Sequence, residues 1–118
     1  MANEITLNLQ LDYSKSGAVL KRTVSMNVTV TGDSLTHGVQ SVGTSEEALT
    51  ISADIGTPGY TFLKNLDATN YIEVGSTTGV YDIRLKAGEI ALYRHNSAAL
   101  YAKANTAACL LEYLVIED

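Results

Sequence analysis

Two histidines, one cysteine and a scatter of carboxylates are the residues of this chain whose types could do chemistry. His37 precedes Gly38 and His95 precedes Asn96-Ser97, far apart in sequence, which reads as two solvated loop imidazoles and not as a paired site. Cys109 could act as a nucleophile only beside a base, yet it lies within Ala107-Ala108-Cys109-Leu110-Leu111, and apolar surroundings raise a thiol pKa. It reads as a core residue. Asp54, Asp67, Glu73 and Asp82 could in principle supply a general acid and base, or oxygen ligands for calcium. No EF-hand spacing accompanies them, and Asp67, inside Asn65-Leu66-Asp67-Ala68-Thr69-Asn70, is better placed to accept backbone N–H bonds in a turn. The chain has no Gly-rich phosphate loop, no Gly-x-Ser-x-Gly elbow and no His-Glu-x-x-His helix. The residues therefore point to no catalytic group, no cofactor site and no metal ligand, and the expectation is a protein that is not an enzyme. Asn27-Val28-Thr29 fits a glycosylation sequon but reads as ordinary strand alternation. Seven tyrosines (Tyr13, Tyr60, Tyr71, Tyr81, Tyr93, Tyr101 and Tyr113) remain, suited either to interfaces or to covering sheet edges.

The elements that would carry these residues are strands. Ile5, Leu7, Leu9, Leu11 and Tyr13 alternate with Thr6, Asn8, Gln10 and Asp12, the period-2 pattern of a half-buried strand. After Ser14-Lys15-Ser16-Gly17 the alternation returns, with Leu20, Val24, Met26, Val28 and Val30 on one face, so the two segments should pair as an antiparallel hairpin. Between Thr31 and Gly59 glycines interrupt the pattern, which predicts long loops with one or two short strands. Ser45-Glu46-Glu47 is the best place for a helical turn, with Ser45 as N-cap and acids in the first turn. Six strands follow at Tyr60–Asn65, Tyr71–Val74, Val80–Leu85, Ile90–Arg94, Leu100–Ala104 and Cys109–Glu117, separated by Gly, Asn and Asp turns. The last of them is apolar on both faces apart from Glu112. It must lie centrally between two layers or set one face against another subunit.

Size and charge bound the rest. The 118 residues, 46% hydrophobic, suit one domain spanning 1–118. The net charge of −5 and the scattering of 8 Lys and Arg leave no basic stripe for phosphates, so no nucleic acid is expected as a partner. No apolar run approaches the roughly 20 residues of a membrane-spanning helix, and the start of the chain has no signal-peptide pattern, so no membrane partner is expected and synthesis in a cytoplasm is. A single cysteine forms no intrachain disulfide.

Phe62-Leu63-Lys64-Asn65-Leu66-Asp67-Ala68-Thr69-Asn70-Tyr71-Ile72-Glu73-Val74-Gly75, followed by Leu85-Lys86-Ala87-Gly88-Glu89, Leu100-Tyr101-Ala102-Lys103-Ala104 and the closing apolar strand, resembles a pattern in small structural proteins of tailed bacteriophages. The resemblance covers about half the chain. It implies an all-β fold, an antiparallel β-sandwich that is jelly-roll-like with about eight strands. It also implies a virion structural protein made in the host cytoplasm, first of all a capsid decoration (cement) protein. Its partners would be the major capsid protein or other virion proteins, and copies of itself as a homo-oligomer, by analogy a trimer. The N-terminal region and the loops between Thr31 and Gly59 would make the contacts. A tail, collar or fibre component, or a carbohydrate-binding β-sandwich module, is the alternative.

Circular dichroism of the isolated protein should show a strand signal with helix below about a fifth of residues, since nothing beyond one short turn is available to form it.

Overall fold

The computed structural model describes residues 2–118, which divide into two compact units, Met1–Thr31 and Gly32–Asp118. The described residues form ten strands and no helix, with every strand pairing antiparallel. Three sheets and ten strands thus replace the eight or so strands expected.

The first unit is the hairpin that the alternation predicted. β1 (Ile5–Lys15) and β2 (Ala18–Val28) pair without a break from Ile5↔Val28 to Lys15↔Ala18. Only Ser16 and Gly17 remain for the turn, at φ 53° and 85°. Positive φ at both central residues gives the primed turn whose twist matches that of the flanking strands. At the open end the Val30 amide donates to the Glu4 carboxylate at 2.8 Å, which holds that carboxyl below its ordinary pKa.

The second unit contains eight strands: β3 (Leu35–Val42), β4 (Glu47–Ala48), β5 (Pro58–Asn65), β6 (Ile72–Gly75), β7 (Ile83–Leu85), β8 (Ile90–Arg94), β9 (Tyr101–Ala104) and β10 (Cys109–Glu117). They form two four-stranded sheets, ordered β3-β10-β5-β8 and β4-β9-β6-β7. Only β6 and β7 are both consecutive and neighbours; every other connection carries the chain from one sheet to the other.

Alternation within each strand builds a single core from both sheets. Val42, Leu63, Leu111, Tyr113 and Val115 come from the first, and Ile72, Val74, Leu85, Ala102 and Ala104 from the second. Each fully buried Val, Leu or Ile contributes about 1.5–3 kcal/mol relative to exposure. β10 lies centrally in its sheet, paired along both edges, and Cys109, Leu111, Tyr113 and Val115 cover one face of its doubly apolar pattern in the core.

Thr31–Gly59 is less loop-like than expected, because β3 runs for eight residues along β10. Nor does Ser45-Glu46-Glu47 form a helical turn. The Glu47 carboxylate accepts the Gln40 side-chain amide and the Gly43 N–H, and Glu46 accepts the Gly79 N–H and the Tyr81 hydroxyl. Long-range partners claim the acids that a helix N-terminus would have used. Val80 to Asp82, expected within a strand, precede β7 instead. The chain crowds there, and a Cβ on Gly75 would lie 2.0 Å from the Val80 carbonyl oxygen.

Two side-chain clasps hold the ends of the sheets. Asn65, fully buried, donates through Nδ2 to the Asn70 and Leu85 carbonyls at 2.9 and 3.0 Å, while its Oδ1 accepts the Asp67 N–H at 2.9 Å. Since Leu85 ends β7 and Asn65 ends β5, one amide ties the two sheets together. Elsewhere Glu117 gathers the N–H groups of Asp33, Ser34 and Gly56 on its two carboxylate oxygens.

Asn65→Ala should lower the unfolding free energy by about 2–4 kcal/mol, because buried carbonyls and an N–H lose their partners together. Asn27→Ala on the exposed hairpin should stay within about 0.5 kcal/mol. Urea denaturation of both variants checks the difference.

Candidate interaction surface

The residues singled out for chemistry do not converge. His37 stands exposed on β3, with Nε2 3.0 Å from the Glu112 carboxylate. His95, expected in solvent, is buried: its backbone N–H donates to the Gly59 carbonyl at 2.9 Å, its Nε2 donates to the Ala99 carbonyl at 2.7 Å, and Tyr93 meets it edge-on at 5.8 Å. A polar loop sequence concealed this because the loop folds back over its own histidine. Glu73 lies 3.7 Å from Arg84 across β6 and β7, the Asp54 backbone N–H donates to the Ser52 hydroxyl at 3.2 Å, and Asp82 lines a cavity of about 160 Å³ with Ser76, Tyr93 and His95. Among the described residues no three His, Cys, Asp or Glu side chains come together as a metal site.

Cys109 is buried, and burial, with the Asp67 charge adding to it, pushes the thiol pKa up. Asp67 accepts the Thr69 and Asn70 N–H groups at 2.9 and 2.6 Å, the turn geometry read from sequence, and these bonds hold its carboxyl low. The tyrosines divide among several roles. Tyr113 is buried and donates to the Thr50 carbonyl, Tyr81 donates to Glu46 and is pushed up to about 12 by that bond, and Tyr93 is pushed up to about 12 by burial. Arg94 lies over the Tyr60 ring at 4.8 Å, Arg84 over Tyr71 at 4.4 Å and Lys103 over Tyr81 at 5.9 Å. These cations occupy ring faces that a stacking ligand would need. Tyr101 is half-buried on β9, and Tyr13 is exposed on the hairpin.

The feature that does stand out is the outer face of the β3-β10-β5-β8 sheet. Register places Leu114 beside Phe62 and Phe62 beside Leu92, with His37 on the other side of Leu114. Ile116 faces Leu35, and Leu110, Val39 and Ile90 extend the same face. Leu35, Val39, Ile90 and Leu110 are each more than half exposed, and Leu92 is 40% exposed. Charge enters the face in the row Val39, Glu112, Lys64 and Ile90 and again at Arg94 opposite Tyr60. The other sheet differs. Its outward row sets Glu73 between Arg84 and Lys103. Both faces carry charge, but only the first sets large exposed apolar side chains around it, the composition of a surface that meets another protein.

A second opening, a cleft of about 280 Å³, lies where Arg94, His95, Asn96 and Asp118 meet Gly56 and Thr57. Arg94 bridges to Asp118 at 3.1 Å, so its charges are spent on each other.

Sequence reading missed the apolar face because its members come from four strands remote in sequence. Only β10 carried a signal, in its two apolar sides.

The clasping carboxylates fix a pH dependence. The N–H groups of Gly56, Asp33 and Ser34 hold Glu117 below its ordinary value, and Glu46 and Asp67 are lowered in the same way by their donors. A lowered folded-state pKa means that the unfolded chain binds protons first, so the stabilisation is complete above the ordinary value and is lost as pH falls through the folded one. The urea midpoint should be level from pH 7 to about 5 and decline below the ordinary glutamate value of 4.5. Glu117→Gln should make that decline shallower.

Comparison with protein-family models, with curated proteins and with solved structures finds no match to this chain.

Proposed function

We propose that the chain is a structural protein of a tailed-phage virion, a capsid decoration protein that beds the apolar outer face of its β3-β10-β5-β8 sheet onto the major capsid protein. That one-sided face is the observation that carries the reading. Burying its side chains across a joint would stabilise an assembled shell by mass action, since only the assembled state offers the site. Many weak copies on a lattice bind firmly together through multivalency.

The reading includes a fold. Counting strands within Gly32–Asp118, one sheet runs first, eighth, third, sixth and the other second, seventh, fourth, fifth. Two Greek keys rolled together give this order, the jelly roll used by viral shell proteins and also by lectins. Because one fold serves both, the surface decides between them. The cations over Tyr60, Tyr71 and Tyr81 leave those rings ill-suited to stack on sugars, which favours the virion reading over a carbohydrate-binding module.

The test is cryo-electron microscopy of purified particles together with incorporation of a Val39→Glu/Leu92→Glu variant. The expected result is density on the head at lattice positions, with the variant incorporated at least about tenfold less, given that each buried charge costs more than 1.4 kcal/mol. Density confined to the tail or collar would replace decoration by a tail role, and absence from particles would end the virion reading.

A further inference from the structure

The larger unit leaves one long strand edge open. In an antiparallel pair, alternate residues turn their N–H and C=O groups toward the same neighbour. The Glu117 N–H donates to the Ser34 carbonyl at 2.9 Å, which fixes the phase of the ladder between β3 and β10. Thr36, Gly38, Gln40 and Val42 therefore bond to β10, while Leu35, His37, Val39 and Ser41 present their backbone groups to the free side. No other backbone group among the described residues takes them, and all four residues are exposed. The remaining edges are blunted. β4 and β7 have two and three residues, and β8 has five, ending in Arg94, which is tied to Asp118 at 3.1 Å. β3 runs for eight residues, roughly 26 Å at about 3.3 Å each, with no Lys, Pro or bulge to deter pairing.

We infer that this edge is a docking site for an extended segment of another protein, which joins the sheet as a fifth strand beside β3. Unpaired donors and acceptors alternating along one row match the backbone of an extended chain, and main-chain bonds of this kind supply affinity whatever the sequence. The occupant carries apolar residues opposite Leu35 and Val39, which are 60% and 55% exposed, and so prolongs the outer face. A second copy of β3 is a poor match. The twofold pairing that uses all four residues sets Leu35 against Ser41 and His37 against Val39, so each apolar side chain meets a polar one. Sliding that pairing to oppose Leu35 with Val39 brings His37 against His37 and leaves Ser41 unpaired. Strand addition is independent of a virion role, since it is read in solution without particles.

Nuclear magnetic resonance of the full chain with the peptide acetyl-Lys-Val-Thr-Val-Thr-Val-Lys-amide tests it. In the free protein the amides of Leu35, His37, Val39 and Ser41 should exchange with solvent at least about a hundredfold faster than those of Gly38 and Gln40, and the peptide at about 5 mM should slow the fast set. His37→Ala keeps the edge N–H and should bind as the parent does. His37→Pro removes that N–H, which β10 does not use, and should weaken binding at least about tenfold. Slow exchange at Gly38 and Gln40 reports in each variant that β3 remains in its sheet. The same peptide N-methylated at its valines, whose N–H groups would face β3, should not bind, and this arm holds even where the proline variant unfolds. Slow exchange of all four amides without peptide, no slowing with it, equal binding of the N-methylated peptide or equal binding by folded His37→Pro would overturn the inference.

Discussion

One buried amide orients the larger unit. Asn65 ends β5 with both of its N–H donors and its oxygen engaged, one donor reaching the Leu85 carbonyl at the end of β7 in the opposite sheet. An amide can be buried only when its groups are paired, so this side chain must point between the sheets. Strand alternation then leaves β5 no choice: with Thr61, Leu63 and Asn65 inward, Tyr60, Phe62 and Lys64 face outward. Through the pairings of Lys64 with Glu112 and Phe62 with Leu92, the same orientation passes to β10 and β8. The composition of the outer face thus follows from where one asparagine finds its partners.

The parts legible in sequence were those whose signals are local. Alternation over Ile5–Tyr13 gave the hairpin because its partner strand follows after a two-residue turn. The Asp67 turn was legible because its acceptor and donors lie within three residues. β3 was obscured because its inward positions hold Thr36, Gly38 and Gln40 in place of large apolar residues. Gly38 lies beneath the Tyr113 hydroxyl, and the Gln40 amide is satisfied by Glu47, the Ala48 carbonyl and the Thr50 N–H. His95 and Glu46 misled for the same reason: their partners, Ala99 and Tyr81, become apparent only after the chain has folded back. The order of the sheets, on which the candidate surface depends, joins strands separated by up to some seventy residues, and no local pattern encodes it.

An apolar face of this extent needs protection from indiscriminate association, and the row Val39-Glu112-Lys64-Ile90 supplies it. Glu112, held 3.0 Å from His37 on one side and facing Lys64 on the other, can be buried only by a partner that also satisfies these charges. The apolar residues provide area and the charged row restricts what may share it.

The position of β10 has a consequence for biosynthesis. It pairs with β3 on one side and β5 on the other, so the central rung of its sheet is the last of the body's strands to leave the ribosome. Until Cys109–Glu117 emerges, β3 and β5 have no neighbour between them and half the core has no lid. Such long-range closure makes folding slow relative to helical domains and places it after translation of the unit. A chain arrested before Cys109–Glu117 therefore lacks the complete outer face and the surface that an assembly would recognise.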